Sequence, residues 1–189
     1  MTSLRVAVTG SRGQIVRSLL EKGAERGVEV IAVGRPALDL ADTRTVHAAI
    51  ASAGAQVVVN AAGFTNTEDA EVQPGLADAI NARGAGAVAA SARALGIPVI
   101  HLSSAYVFDG RKASPYLETD AVNPLNAYGR SKLAGEQAVA AEQPDHVILR
   151  SSLVYGPFSR NFLTVMLKLA ANADEVRVVE DQFGSPSAA

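Results

Sequence analysis

A phenol and an amine stand four residues apart in the segment Tyr128-Gly129-Arg130-Ser131-Lys132, within a stretch that predicts a helix over about 126–142. One helical turn rises about 5.4 Å, so the two side chains should share a face of that helix. An ammonium group favours a neighbouring phenolate, so we expect Lys132 to lower the pKa of Tyr128 from its usual value near 10. The pair therefore predicts proton transfer near neutral pH. The alternative is an ordinary pair on a helix surface.

Two hydroxyl groups precede this pair in the chain. Ser103 and Ser104 directly follow a predicted strand over 97–102. Ligands of open α/β sheets bind at the carboxyl ends of the strands, where a serine can donate a hydrogen bond to a substrate carbonyl. Loop polarity or a helix cap would explain the same two residues without chemistry.

A glycine turn near the amino terminus predicts a phosphate site. Residues 9–16 read T-G-S-R-G-Q-I-V, so Gly10 and Gly13 lie between the first predicted strand and the first predicted helix. Such a turn lets the backbone approach a pyrophosphate, which the free N–H groups at the helix start stabilise. Val16 stands where a third glycine is usual, so we expect the helix to lie further from the strand. A glycine turn that binds nothing remains the alternative.

The end of the second predicted strand indicates which nicotinamide cofactor is used. An NAD site usually places a carboxylate there, but this chain has Val33-Gly34-Arg35. Arg12 in the glycine turn and Arg35 could together bind a 2′-phosphate through charge-assisted hydrogen bonds. We therefore predict NADP(H), with NAD(H) as the alternative cofactor. Two solvated surface arginines would be the simpler explanation.

The elements that must position these residues alternate between strand and helix. Strands are predicted at 4–9, 28–33, 56–60, 97–102, 146–150 and 176–179, and helices at 13–26, 42–53, 74–95, 126–142 and 160–171. Short apolar strands separated by helices indicate a parallel sheet that is covered on both faces. The predicted fold class is therefore α/β, a three-layer doubly wound parallel sheet that forms one domain over 1–189.

Composition excludes several classes of protein. The 189 residues are 48% hydrophobic, carry a net charge of −2 and include no cysteine. These values argue against a disordered chain, a disulfide framework and a dedicated nucleic-acid binder. The apolar run over 4–8 is too short for a signal peptide or a membrane span, so we expect a cytoplasmic protein without a membrane partner. His47, His101 and His146 lack ligand spacing and are expected to be ordinary surface or strand-end residues, with no catalytic metal.

Several segments together resemble the extended short-chain dehydrogenase/reductase family, and within it the dTDP-4-dehydrorhamnose reductases. The matching segments are T-G-S-R-G-Q at 9–14, Asp39-Leu40, N-A-A-G-F-T at 60–65, S-S-A-Y-V-F-D-G at 103–110, N-P-L-N-A-Y-G-R-S-K at 123–132, Arg150 with V-Y-G at 154–156, and D-Q-F-G-S-P at 181–186. They cover nearly the whole chain. The resemblance implies a nucleotide-binding Rossmann fold and a nucleotide-sugar substrate.

The resemblance also implies roles for particular residues. Hydride would pass between the nicotinamide and C4 of a keto sugar, with Tyr128 as general acid, Lys132 at the nicotinamide ribose and Ser104 at the carbonyl. The cofactor would contact Gly10, Ser11, Arg12, Gly13, Gln14, Ile15, Arg35, Asp39, Leu40, Ala61, Ala62, Gly63, Tyr128 and Lys132. The sugar would contact Thr65, Ser104, Tyr106 and Leu153.

Three departures from the family pattern bear on function. Ala105-Tyr106 replaces the Asp-Glu pair of the sugar dehydratases, which disfavours dehydration. Leu153 replaces a usual tryptophan at the substrate, and family members continue for roughly another hundred residues, so the C-terminal substrate-binding portion is expected to be missing. A nucleotide-sugar epimerase and a non-catalytic, cofactor-binding regulatory subunit therefore remain alternatives, and homodimer formation stays open.

Overall fold

A sheet of five parallel strands forms the centre of the molecule. The computed structural model describes residues 3–180 and 184–189. The strand order is β2-β1-β3-β4-β5, and a separate two-stranded parallel sheet pairs β6 with β7. The strands are β1 (Arg5–Thr9), β2 (Glu29–Val33), β3 (Val57–Asn60), β4 (Val99–Ser104), β5 (His146–Ser151), β6 (Val154–Tyr155) and β7 (Ser187–Ala188).

The helices occupy the connections between these strands. They are α1 (Gln14–Glu25), α2 (Val46–Ala53), α3 (Thr67–Val72), α4 (Pro74–Asp78), α5 (Gly84–Ala94), α6 (Ala127–Glu142) and α7 (Phe162–Ala170). A π-helical turn over Ala79–Arg83 joins α4 to α5, and short 3-10 turns cover Thr43–Thr45 and Ala105–Val107. None of the described helices combines the length and the apolar character that a bilayer span requires.

The residues of β1 alternate between two hydrophobic clusters, one on each face of the sheet. Val6 and Val8 pack in the same cluster as Val16 of α1. Ala7 belongs to the cluster that contains buried residues of α2, α5 and α6. Helices therefore cover both faces of the sheet, which confirms the three-layer doubly wound architecture.

Several predicted elements differ from the structure in extent or in kind. The strand predicted at 97–102 runs from Val99 to Ser104, because it pairs with β5 as far as Ser104 and Ser151. The helix predicted at 74–95 is interrupted by the π turn. The strand predicted at 176–179 is wrong: this segment pairs with no described strand, and Val178 and Val179 are 58% and 67% exposed. Residues 181–183 of the segment D-Q-F-G-S-P lie outside the described residues.

Candidate active site

A cavity of about 540 Å³ opens at the carboxyl edge of the sheet. It lies between the glycine turn after β1 and the segments that follow β2 and β3. Most of the residues predicted to contact a cofactor line it, namely Gly10, Ser11, Arg12, Gly13, Arg35, Asp39, Leu40, Ala61, Ala62 and Gly63. The structure therefore gathers segments that are far apart in the sequence around one crevice.

The glycine turn has the geometry that a close approach of ligand to backbone requires. Gly10 has a φ of +97°, a conformation that side chains rarely adopt, and its N–H donates to the carbonyl of Val33 at 2.8 Å. Gly34 crosses the turn so closely that an added Cβ would lie 3.1 Å from the carbonyl carbon of Gly10. Gly13 then starts α1 without a side-chain acceptor for the first N–H groups. These groups remain available to an anion.

A buried threonine fixes the wall of the cavity that follows β3. The Thr9 hydroxyl accepts hydrogen bonds from the N–H groups of Ala61 and Ala62 at 3.1 and 3.0 Å. The same hydroxyl donates to Oδ1 of Asn60 at 2.8 Å. The segment over 61–63 is therefore tied to the end of β1, beside the glycine turn.

Gln14 and Ile15 do not line this cavity, in contrast to the other predicted cofactor residues of the first turn. Nε2 of Gln14 donates to the carbonyl of Val154 at 3.1 Å, and its Oε1 accepts from Asn161 at 3.2 Å. The Gln14 side chain thus ties α1 to β6 and to the start of α7.

The Tyr128 side chain lies at the start of α6, beside the end of β4. Asn126 caps this helix by accepting a hydrogen bond from the N–H of Gly129 at 2.7 Å. The Ser104 hydroxyl lies beside the phenol, and the ring of Tyr106 stands edge-on to the ring of Tyr128 with centroids 5.6 Å apart. Three predicted chemistry-bearing residues thus meet at one place.

Lys132 follows one turn later on the same face of α6, as the spacing predicts. Its side chain is 5% exposed, and Nζ donates to the carbonyl of Leu102 in β4 at 2.6 Å. Burial lowers the pKa of Lys132 to about 8, against the opposing charge of Glu136. The ammonium group is therefore held at the strand end by a main-chain acceptor.

The predicted lowering of the Tyr128 pKa is wrong. The pKa of Tyr128 is raised, mainly because the phenol is buried, although the neighbouring Ser104 hydroxyl acts in the opposite direction. Desolvation disfavours the phenolate more than its neighbours favour it. Tyr128 is consequently a neutral phenol at neutral pH, which is the state that a proton donor needs.

Asn81 connects the cavity wall to α6. It lies in the π turn, where its Oδ1 accepts from the N–H of Phe64 at 2.8 Å and its Nδ2 donates to the Phe64 carbonyl at 2.9 Å. Nδ2 also donates to the Ser131 hydroxyl at 2.9 Å, which in turn donates to the carbonyl of Tyr128 at 2.7 Å. π turns are frequent at functional sites. In this one the Asn81 amide binds both the segment after β3 and α6. The sequence contains no local signal for the π turn.

The expectation that His101 is a surface or strand-end residue is wrong. It is a fully buried residue of β4. The Thr9 hydroxyl accepts two N–H groups, so it donates its own proton to Oδ1 of Asn60, and Nδ2 of Asn60 then donates to Nδ1 of His101 at 3.0 Å. His101 therefore carries its proton on Nε2 and is neutral. Burial and the charge of Lys132 lower the pKa of His101 to about 3.

His101→Gln is expected to reduce the acid sensitivity of the fold. An unfolded chain binds a proton on histidine below about pH 6.5, whereas folded His101 binds one only near pH 3. The unfolding free energy of the wild type should thus fall by about 2 kcal/mol more than that of the variant between pH 7 and pH 4.5. Urea denaturation at both pH values measures the difference. Exposed His47→Gln is the matched control, and equal decreases in His101→Gln and wild type would contradict the assignment.

The residues predicted to contact the sugar lie in three different places. Thr65 lines the cavity, and Ser104 and Tyr106 lie beside Tyr128. Leu153 follows β5 with a φ of +41°, and its side chain lies against Gly184 instead of in the cavity.

Comparisons with known proteins agree with this geometry. Residues 4–189 match the family described as the RmlD substrate binding domain. The dTDP-4-dehydrorhamnose reductase of Sinorhizobium fredii is 47% identical over 186 residues, which cover 98% of this chain and 62% of the relative.

The chain is also similar to solved structures of dTDP-4-dehydrorhamnose reductases. A dTDP-4-dehydrorhamnose reductase from Clostridium acetobutylicum has a TM-score of 0.92 and 36% identity over 98% of this chain and 66% of its own. A dTDP-4-dehydrorhamnose reductase from Bacillus anthracis, in complex with NADP, has a TM-score of 0.94 and 32% identity over 100% of this chain and 67% of its own. The chain thus spans about three fifths of the length of the curated relatives that it matches.

Proposed function

We propose that this chain, which belongs to the RmlD substrate binding domain family, binds NADPH in the cavity at the sheet edge and reduces the 4-keto group of dTDP-4-dehydrorhamnose. The observation that carries this proposal is the neutral, buried Tyr128 phenol, which lies beside Ser104 at the same sheet edge as the glycine-lined cavity. The relatives named above supply the identity of the sugar and of the nucleotide.

The cavity residues fit an NADP molecule in shape and in charge. The positive φ of Gly10 and the close crossing of Gly34 leave the turn without side chains where a pyrophosphate would lie. Arg12 and Arg35 both line the cavity, and no carboxylate stands directly after β2. Guanidinium groups bind phosphate through paired hydrogen bonds, so this charge pattern favours a 2′-phosphate.

The chain's own residues perform the proton half of the reduction. A bound nicotinamide supplies the hydride that forms the new C–H bond at C4. Tyr128 donates its phenolic proton to the carbonyl oxygen, and Ser104 hydrogen-bonds that oxygen as it gains charge. Lys132 is held on the Leu102 carbonyl one helical turn along the same face of α6, and its ammonium is the cation proposed to stabilise the phenolate that remains. The hydride and the proton together convert the keto group into a neutral alcohol, and Tyr128 is left as a phenolate.

Arg35→Ala is expected to weaken NADPH binding about 10- to 100-fold while changing NADH binding less than threefold. A charged hydrogen bond contributes about 1.5–3 kcal/mol, and only NADPH has the phosphate that this guanidinium would contact. Fluorescence titration of each cofactor measures the two dissociation constants. Arg44→Ala changes an arginine that pairs with Asp42 outside the cavity and serves as the control. Equal losses for NADPH and NADH would contradict the assignment of Arg35.

The reaction itself is tested by adding dTDP-4-dehydrorhamnose to the purified chain with NADPH and following absorbance at the nicotinamide band. Oxidation of one NADPH for each sugar reduced supports the proposal. An epimerase would retain its cofactor through purification and give no net oxidation. A regulatory subunit would bind NADPH, bind a stoichiometric partner enzyme and turn over no sugar. Either of these results would overturn the proposed reductase activity.

A further inference from the structure

Three side chains at intervals of four residues on α6 meet three successive residues of β4. The carbonyl of Leu102 accepts from Nζ of Lys132, as described above. The next residue, Ser103, donates its hydroxyl hydrogen bond to Oε1 of Glu136. Ser104 then meets the phenol of Tyr128. One stripe of α6 thus contacts the carboxyl end of β4 at three points.

Glu136 occupies this stripe as a buried carboxylate whose two oxygens are both bound. Glu136 is only 5% exposed. Nε of Arg150 donates to Oε1 at 2.9 Å and Nη2 donates to Oε2 at 2.7 Å, in the paired geometry of a strong guanidinium–carboxylate contact. Ser103 and Arg150 are opposite each other in the pairing of β4 with β5. The carboxylate therefore joins α6 to two adjacent strands at once.

Arg150 is itself held in place from its other side. Its guanidinium lies 4.9 Å from the ring centroid of Phe108, and that ring stacks on Tyr116 at 4.1 Å. The hydrogen bonds with Glu136 raise the pKa of Arg150, so the partner stays charged. The Glu136 carboxylate is consequently fixed both in position and in charge.

We propose that Glu136 is a positioning residue for the Tyr128–Lys132 pair, and that its clamped carboxylate maintains the charge of Lys132 and the register of α6 on β4. The role of Glu136 in catalysis rests on the proposed function, whereas its effect on the charge of Lys132 is present in the chain without ligand. The charged and titratable groups that act on Lys132 are Glu136 on α6 and neutral His101 on β4, with Arg150 of β5 behind Glu136.

The two opposing effects on Lys132 indicate what loss of this carboxylate would do. Burial lowers the pKa of Lys132 to about 8, and the Glu136 charge is what raises it. Without that charge, Lys132 would lose its proton close to neutral pH. A neutral amine could no longer stabilise the phenolate that forms when Tyr128 gives up its proton.

Titration of the lysine side chains by carbon NMR tests this directly. The chain has four lysines, at positions 22, 112, 132 and 168, so the labelled Cε signals are few, and Lys132→Arg assigns the signal of interest. Glu136→Gln keeps the shape of the side chain, removes its charge and replaces one accepting oxygen with an amide nitrogen that donates. Its Lys132 midpoint is expected about one pH unit below that of the wild type. Glu142→Gln, an exposed carboxylate on the same helix, should leave the midpoint unchanged.

An unchanged Lys132 midpoint in Glu136→Gln, or an equal shift in Glu142→Gln, would overturn the inference. If the single variant does not fold, Glu136→Gln combined with Arg150→Met removes both partners of the buried pair, which avoids an unpaired charge. The midpoint is again expected below that of the wild type, since Glu136 raises the pKa of Lys132, and a midpoint at or above wild type contradicts the proposal. If turnover is present, the alkaline limb of its pH profile should move by the same amount. Absence of turnover with a shifted midpoint would count against the proposed reductase activity alone.

Discussion

Tyr128→Phe is expected to lower kcat for NADPH-dependent reduction of the keto sugar by about 10³-fold, with the Kd for NADPH changed less than twofold. General acid catalysis contributes about 10²–10⁴-fold, and phenylalanine has no proton to donate. The phenylalanine ring can make the same edge-on contact with Tyr106 as the ring of Tyr128, so the local packing should be preserved.

Steady-state turnover and cofactor titration of the same preparations separate these two effects. Tyr155→Phe removes a phenolic hydroxyl from β6, outside the cavity, and should retain wild-type kcat. A Tyr128→Phe variant with a kcat within about fivefold of wild type would remove Tyr128 from the proton-transfer step, because general acid catalysis is worth far more.

Lys132→Met is expected to reduce kcat/KM by at least about 10²-fold and, at the same time, to stabilise the fold at pH 7 by about 2 kcal/mol. The activity is lost because the charge beside the phenolate disappears. The stability increases because a buried ammonium, held largely by one carbonyl, is replaced by an apolar side chain of similar length. Opposite signs for activity and stability are typical of residues placed for chemistry.

The pH dependence of this stabilisation follows from the pKa of Lys132. Lysine is protonated in the unfolded chain below its usual pKa of 10.5, whereas folded Lys132 loses its proton above about pH 8. The unfolding free energy of the wild type should therefore rise as the pH increases from 8 towards 10.5, and the advantage of Lys132→Met should shrink over that interval. Chemical denaturation at pH 7 and pH 10 measures both values. Exposed Lys168→Met should show neither effect, and a Lys132→Met variant less stable than wild type at pH 7 would contradict the account.

The position of the site follows from local sequence signals. The glycine turn at Gly10 and Gly13 and the spacing of Tyr128 and Lys132 are short-range patterns. Parallel pairing then brings the strand ends together at one edge, so the residues of that edge could be predicted without the structure. The shared face of Tyr128 and Lys132 is confirmed for the same reason, since the helical period alone determines it.

The charge states of the site could not be predicted in this way. The pKa of Tyr128 depends on how completely the phenol is buried, and burial is a result of tertiary packing. The burial of His101 cannot be predicted from its neighbours in the sequence, because they do not reveal that β4 lies between β3 and β5. Glu136 does have a weak signal, since it continues the four-residue spacing of Tyr128 and Lys132, but its partners Ser103 and Arg150 come from two other strands.

The most direct test of the central claim follows the hydride itself. The chain is incubated with dTDP-4-dehydrorhamnose and NADPH that carries deuterium at C4 of the nicotinamide, in each of its two diastereomers, and the sugar product is examined by NMR. The account predicts one deuterium at C4 of the product from one diastereomer only, formed far more slowly by Tyr128→Phe. A reduced product that lacks deuterium at C4 with both diastereomers, or bound NADPH with no transfer at any sugar concentration, would contradict it.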